Sequence, residues 1–228
     1  MIISHKYKFI FIKTAKTAGT SVEIALSKYC GERDVITPIF PEADENLRKS
    51  LGYRGPQNYR IPFRRYSRRD WMGAMRQRQR LAFYNHAPAS FIKSHVAPGI
   101  WQSYFKFCFE RNPWDKAVSF YCWKNQQEPR PAIADFLHSD LFAAMPGLNL
   151  YTIDREIVVD RVCAFERIQE EMRDIAAIVG LPETPELPRA KANVRKDDRT
   201  YREILGEQGR REIARLFGRE IELFGYSW

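Results

Sequence analysis

The sequence lacks the features that mark several classes of protein. No run approaches the roughly 18 apolar residues of a membrane-spanning helix, so we predict no membrane span. The first apolar run, Phe9 to Ile12, is too short for a signal peptide and carries no small-residue cleavage pattern. The four cysteines form no CxxC pair, which argues against a zinc cage or a disulfide framework and favours a reducing cytoplasm. Because HExxH and His/Cys clusters are also absent, we predict no metal site.

Acidic residues are scarce relative to basic ones. The chain has 37 Lys and Arg against 28 Asp and Glu, a formal net charge of +9. Such a surplus favours a phosphate- or sulfate-bearing ligand, an acidic polymer, nucleic acid or an anionic membrane face. The excess is concentrated between Arg60 and Arg80, a window with eight arginines and one acid, Asp70.

This arginine-rich window has two interpretations. It recognises an acidic or sugar acceptor, with Tyr66 and Trp71 as stacking surfaces, or it is a charged helix exposed to solvent. The spacing predicts a helix over Arg68 to Arg80, with Trp71, Met75 and Met72 directed inward.

The length of 228 residues fits one domain, and a hydrophobic content of 44% is enough for a sizeable core. Prolines and glycines interrupt residues 37–80 repeatedly, so we expect mostly loop there. We predict a single domain over residues 1–228, in which residues 37–80 form a substrate-recognition insertion.

Two segments have the pattern strand, turn, helix. In the first, Tyr7 to Ile12 is strand-like, and a helical stripe follows a short polar loop. In the second, Tyr104 to Phe109 is strand-like, and Pro113 suits the first position of a helix. Further short strands are predicted at 81–84, 157–159 and 162–165. Because strands alternate with helices, we predict an α/β fold: a P-loop-like three-layer domain whose central, mainly parallel sheet is flanked by helices.

The loop of the first segment suits an anion. A helix N-terminus offers unpaired backbone N–H groups and a positive dipole end. Lys16 adds a charge, Gly19 permits close approach, and Thr17, Thr20 and Ser21 add hydroxyl donors. The motif GxxxxGK[ST] is absent, which disfavours an ordinary Mg-dependent NTPase. The alternative is a solvated turn in which Thr20 or Ser21 caps the helix.

Two stretches resemble motifs of the sulfotransferases, in the family that contains carbohydrate sulfotransferases and their bacterial relatives. Residues 11–21, FIKTAKTAGTS, resemble the loop that binds the 5′-phosphosulfate, although Ala15 stands where family members often have Pro. Residues 107–121, FCFERNPWDKAVSFY, resemble the 3′-phosphate motif. Residues 164–168 and 222–228 also look like that family, so the likeness covers most of the chain except about 37–80.

The resemblance implies the co-substrate 3′-phosphoadenosine 5′-phosphosulfate, held without a metal. Its 5′ end would lie on residues of the loop: Lys16, Thr17, Ala18, Gly19, Thr20 and Ser21. Arg111 and Ser119, eight positions apart, would bind the 3′-phosphate, for which a guanidinium has the right geometry. A late basic segment containing Lys191 and Arg195 resembles the region that covers the nucleotide. The alternative for Arg111 is a salt bridge with Asp115, and for the late segment a solvated loop.

A hydroxyl acceptor needs a general base, and histidine is the usual choice. We favour His86, which follows a predicted strand and precedes a helix started by Pro88. His95 is the rival if residues 91–95 form a strand.

We therefore predict a cytoplasmic sulfotransferase that acts on a hydroxyl of a carbohydrate or glycoconjugate, with Lys16 and His86 as catalytic residues and no nucleic-acid partner. The alternatives are an ATP-dependent small-molecule kinase and a non-catalytic module that binds an acidic polymer.

Overall fold

A computed structural model of the chain describes residues 1–188 and 199–228. The strands of these residues are β1 Ile2–Ser4, β2 Phe9–Phe11, β3 Val35–Ile36, β4 Phe105–Glu110, β5 Thr152–Ile153, β6 Glu156–Ile157 and β7 Arg161–Ala164. Five of them form one sheet in the spatial order β3-β1-β2-β4-β7, and β5 and β6 form a separate two-stranded hairpin.

The main sheet is mixed, so the prediction of a central, mainly parallel sheet is wrong. β2 pairs with β4 and β4 with β7 in parallel, whereas β1 pairs with both β2 and β3 in antiparallel orientation. The physical reason lies at the start of the chain. Only residues 5–8 separate β1 from β2, and a connection this short can join only antiparallel neighbours.

The described helices surround this sheet. They are α1 Gly19–Ser27, α2 Glu42–Ser50, α3 Arg68–Gln77, α4 Ala89–His95, α5 Pro98–Ser103, α6 Pro113–Lys124, α7 Ile133–Leu137, α8 Asp140–Ala143, α9 Ile168–Val179, α10 Tyr201–Leu216 and α11 Gly218–Phe224. Among these residues, no helix combines the length and the apolar character needed to cross a bilayer.

Successive side chains of the strands pack alternately into two separate hydrophobic cores. Phe9 and Phe11 of β2 pack with residues of α1 and α9, whereas Ile10, between them, packs with residues of α4 and α5. In β4, Phe107 and Phe109 join the first core and Cys108 joins the second. This two-residue period is what a strand buried on both faces requires. A third core joins α6 to α7, α8 and α10.

Several predicted elements are confirmed. The strands at 7–12 and 104–109 are β2 and β4, and Pro113 begins α6. The predicted strand at 81–84 is wrong, because that segment makes only an isolated bridge between Ala82 and Arg60.

The arginine-rich window does contain a helix, α3, but its predicted inward face is wrong. No residue of α3 is buried. Trp71, Met72 and Met75 are 43%, 62% and 68% exposed. The periodic stripe is real, yet it points to solvent, because the helix approaches the body of the protein through other side chains.

Candidate functional site

A cavity of about 460 Å³ opens at the ends of β2 and β4. Its volume is in the range that small-molecule ligands occupy. Both strand-turn-helix segments line it, together with residues of α8, of the segment that follows α8 and of the segment that follows β7. The lining residues are Lys13, Thr14, Ala15, Lys16, Thr17, Ala18, Gly19, Thr20, Ser21, His86, Arg111, Ser119, Phe120, Trp123, Lys124, Leu141, Ala144, Pro146 and Phe165.

The first segment presents the start of α1 to the cavity. α1 begins at Gly19 after Ala18, whose φ of 54° is left-handed, and no side chain caps it. The predicted capping by Thr20 or Ser21 is therefore absent from this helix. Its first-turn N–H groups have no partner within the helix, and they lie at the positive end of the helix dipole.

The side chain of Lys13 supports the loop from beneath. Its Nζ contacts Glu23 Oε2 at 2.8 Å and Asn85 Oδ1 at 3.3 Å, and both charged groups are buried. A Cβ at Gly19 would lie 2.7 Å from Lys13 Cγ. Glycine is thus required at position 19 to leave room for the lysine stem as well as to expose the backbone.

Opposite charges hold the pKa of Glu23 down. Burial alone would raise the pKa, but the charges of Lys13 and the Met1 amino group outweigh it and lower the pKa to about 2. Glu23 Oε1 also accepts a hydrogen bond from Thr37 at 2.8 Å. This buried cluster ties the loop, α1 and the segment around Asn85 into one unit.

The second segment brings Arg111 to the cavity. Its Nε and Nη2 donate to Asp115 Oδ2 at 2.9 and 2.6 Å, and its Nη1 donates to the backbone oxygen of Lys16 at 3.0 Å. The guanidinium also lies over the ring of Phe165, 4.3 Å from its centroid. A guanidinium carries five N–H groups, so two remain for a ligand. The salt bridge with Asp115 exists, and it orients the arginine in the cavity.

The start of α6 is closed to anions. Asn112 Oδ1 accepts from the backbone N–H of Trp114 at 3.1 Å, which caps the helix. Ser119, which lines the cavity, lies almost two turns further along α6. A ligand on this side would therefore bind Arg111 and the flank of α6 rather than the helix end.

The cavity wall is cationic. Four of the lining side chains are Lys or Arg, namely Lys13, Lys16, Arg111 and Lys124, and no Asp or Glu is among the lining residues. Glu23 neutralises Lys13 and Asp115 neutralises Arg111 from behind. Lys16 lies with its Nζ 5.1 Å from the ring centroid of Trp123. Lys16 and Lys124 line the same cavity as the first residues of α1.

His86 reaches the cavity from a strained backbone, with a φ of 57°. Its Nδ1 lies 3.0 Å from the carbonyl oxygen of Lys13. A carbonyl only accepts, so Nδ1 carries the proton in the neutral ring, and Nε2 keeps its lone pair. Burial, with the charge of Lys13 in support, lowers the pKa of His86 to about 4. The ring is therefore neutral at pH 7.

The other histidines lie elsewhere in the described chain. His95 ends helix α4, so the strand on which its candidacy depended is absent. Its Nε2 lies 3.3 Å from Asp70 Oδ2, and its Nδ1 lies 2.8 Å from the carbonyl of Phe91. His5 pairs with Tyr104, and His138 with the carbonyl of Ala134. Within residues 1–188 and 199–228, His86 is the histidine that lines the cavity.

The remaining predicted site residues divide simply. The loop residues 16–21, Arg111 and Ser119 all line the cavity. Lys191 and Arg195 lie outside the described residues. Residues 1–188 and 199–228 contain no cluster of three or more His, Cys, Asp or Glu side chains placed to hold a metal.

Sequence reasoning missed the aromatic and outer parts of the cavity. Trp123 and Lys124 follow Ser119 by four and five positions on α6, and Phe165 follows β7. Side chains four apart share a helix face. Trp123 could therefore have been predicted from the placement of Ser119. It was not, because an aromatic residue at helical spacing more often packs in a core.

Comparisons with known proteins add little. No family model matches the chain, and no solved structure matches it. An uncharacterized protein of Archaeoglobus fulgidus is 29% identical over 123 residues, which span 52% of this chain and 99% of that protein. This likeness extends over about half of the chain and assigns it no function.

Proposed function

We propose that the chain is a sulfotransferase that uses 3′-phosphoadenosine 5′-phosphosulfate as its donor. One observation carries the proposal: two cationic segments 95 residues apart in the sequence line the same cavity, and Arg111 Nη1 donates to the backbone of Lys16. A donor with two separated anionic ends needs two such anchors. The mixed sheet leaves this argument intact, because it rests on the cavity alone.

The two ends of the donor have different requirements. In the proposal, the 5′-phosphosulfate lies on Lys16 and the uncapped N–H groups at Gly19 and Thr20, which suit a delocalised anion. The 3′-phosphate takes the two remaining N–H groups of Arg111 and the hydroxyl of Ser119. Trp123 and Phe165 supply aromatic surface at the cavity wall.

The reaction moves a sulfuryl group from the donor to an acceptor hydroxyl. Lys16 is assigned the role of stabilising the negative charge that develops on the leaving phosphate oxygen. His86 is assigned the role of general base, which accepts the proton of the acceptor hydroxyl at Nε2. Its Nδ1–H is engaged with the carbonyl oxygen of Lys13, so the lone pair of the neutral ring is on Nε2. An anion bound nearby would raise the pKa of His86 from about 4, which strengthens it as a base.

The finer parts of the proposal rest on the sequence. The resemblance favours a carbohydrate or glycoconjugate as the acceptor, and the cysteine pattern favours a cytoplasmic location. Neither enters the binding argument above.

The test is ligand-induced stabilisation of the whole chain by 3′,5′-bisphosphoadenosine without Mg²⁺. A ligand that binds only the native state raises the melting temperature, and saturation at 100 times Kd adds about 2.7 kcal/mol. We expect Lys16→Met and Arg111→Met each to abolish most of this shift. Lys49→Met, which removes an exposed lysine from α2, should leave it unchanged.

Other results would favour the other candidates. A shift with Mg-ATP and none with the bisphosphate would indicate a kinase. Binding of an acidic polymer that survives Lys16→Met and falls steeply with salt would indicate a non-catalytic module.

A further inference from the structure

A group of apolar side chains lies exposed around α3, and none of them lines the cavity. Phe63, Trp71, Met72 and Met75 are 50%, 43%, 62% and 68% exposed. Phe63 and Trp71 stack with their ring centroids 5.2 Å apart, and Tyr66 packs against both rings. Clustered exposed apolar side chains mark interaction sites more often than scattered ones. We call Phe63, Trp71, Met72, Met75 and the arginines of residues 60–80 the α3 surface.

The orientation of α3 places this surface outward. On a helix with 3.6 residues per turn, Arg68, Trp71, Met72, Met75 and Arg76 share one face. The opposite face carries Asp70, whose carboxylate reaches His95 of α4. Gly73 and Ala74, on that side, are half-buried. α3 is therefore attached through its small and acidic residues, and its apolar stripe is left to solvent.

The arginines of the α3 surface have no acidic partner among the residues that the structure describes. Across residues 1–188 and 199–228, none of the eight arginines between Arg60 and Arg80 forms a salt bridge. Three of the four arginines of α10 behave differently: Arg210 and Arg211 pair with Glu207, and Arg215 pairs with Glu212. The one acid of the window, Asp70, is engaged in the cap of α3 and with His95. This surface thus combines a high positive charge with exposed apolar groups.

We propose that the α3 surface docks onto an anionic phospholipid bilayer. A bilayer interface accepts Trp, Phe and Met at the level of the acyl chains, while lipid phosphates pair with the flanking arginines. A second copy of the chain fits poorly, because a symmetric contact would bring two such positive patches together. A nucleic acid or acidic polysaccharide would use the arginines but would leave Met72 and Met75 exposed. The proposal is independent of the proposed enzyme activity.

The test is co-sedimentation of the full chain with vesicles of phosphatidylcholine alone or with 30% phosphatidylglycerol, an amount chosen to give a clear negative surface. We expect binding to the anionic vesicles, weaker binding at high salt, and none to neutral ones. The triple variant Arg68→Gln, Arg69→Gln and Arg76→Gln should bind on the order of 100-fold more weakly, since each arginine near such a surface contributes roughly fivefold. A matched triple variant in α10, Arg202→Gln, Arg211→Gln and Arg215→Gln, should bind like the parent.

A second variant separates lipid insertion from charge alone. Met72→Ser with Met75→Ser leaves every charge in place, and both side chains are exposed, so folding should be retained. We expect this variant to lose at least tenfold in vesicle affinity. The proposal is overturned if the serine variant binds vesicles like the parent, if heparin or RNA binds more tightly than the vesicles, or if the parent does not sediment with them.

Discussion

At the scale of single residues, the cavity concentrates backbone strain. Lys16, Ala18 and His86 all have left-handed φ angles, of 62°, 54° and 57°. Non-glycine residues in this region cost of order 1–3 kcal/mol each and persist where the surrounding structure holds them. At His86 the strain is offset by the contact with the Lys13 carbonyl, and it directs the imidazole into the cavity. Strain at three lining residues is a physical reason to look for function here.

Replacing His86 with Asn tests its assigned role. Asn tolerates a left-handed φ and can donate its amide to the Lys13 carbonyl, but it has no titrating nitrogen. We expect kcat for sulfuryl transfer to fall roughly 10²–10⁴-fold, the usual worth of a general base, with donor binding retained. For the parent, kcat/KM should decline on the acid side with an apparent pKa near 4 rather than the ordinary 6.5. A variant with near-parent turnover would remove His86 from the mechanism.

At the scale of elements, the loop and α1 act as one unit because of Lys13. Its stem passes directly beneath Gly19, and its ammonium is fixed by Glu23. The lysine cannot move aside without separating a buried ion pair, and breaking such a pair costs about 3–5 kcal/mol.

Gly19→Ala should therefore be costly. The new methyl group would meet Lys13 Cγ at 2.7 Å, and we expect a loss of about 1–3 kcal/mol in the free energy of unfolding, with weaker bisphosphate binding. Gly73→Ala in α3 is the control, because nothing lies within 4 Å of its added Cβ. Since alanine is the better helix former, the control should be stabilised by about 0.5–1 kcal/mol. Urea unfolding of both variants measures the difference, and equal stabilities would show that the loop can yield.

Local patterns explain which elements were predictable. β4 carries an aromatic residue at every second position, α6 carries a period-3.6 stripe, and β2 lies in a run of aromatic and β-branched residues, so these three were predicted. β1 has three residues like β2, but the apolar run around it ends at Ile3, and β1 is a strand because of its partners. β3 has only two residues. The apolar stripe of α3 was predicted, but periodicity shows only which residues share a helix face and not whether that face is buried or exposed. Likewise, Arg111 and Ser119 were predicted from their motif, whereas Phe165 enters the cavity through tertiary packing.

At the scale of the whole molecule, parallel pairing explains why Lys16 and Arg111 meet. Phe11 of β2 lies opposite Phe107 of β4, so both chains leave the sheet at the same edge. The N–H of Ile12 then donates to the carbonyl of Phe107 at 2.9 Å, which holds the start of the loop beside β4. The antiparallel half of the sheet lies on the other side of β2. The wrong prediction about the sheet therefore did not affect the half that carries the cavity.

The buried titrating groups of this cavity predict how the whole fold responds to acid. The pKa of His86 is lowered in the folded state, from 6.5 to about 4, so between those values the unfolded chain binds the proton and the folded chain does not. This contribution is fully present above pH 6.5 and is lost as the pH falls through 4, a decrease of roughly 3 kcal/mol. Glu23, with its pKa lowered from 4.5 to about 2, adds a further loss below pH 4.5.

Urea unfolding at pH 7, 5 and 4 separates the two groups. His86→Asn removes the first contribution, so between pH 7 and 5 the variant should lose less stability than the parent. The Met1 amino group, whose pKa burial lowers from 8.0 to about 5, weakens both chains equally over this range. Both chains should then lose stability together below pH 4.5, because each retains Glu23. Parallel curves over the whole range would mean that the pKa of His86 is the same in the folded and the unfolded chain, near 6.5. The decline of kcat/KM would then lie near 6.5 instead of near 4, so this equilibrium measurement tests the assigned protonation state of the base without any acceptor in hand.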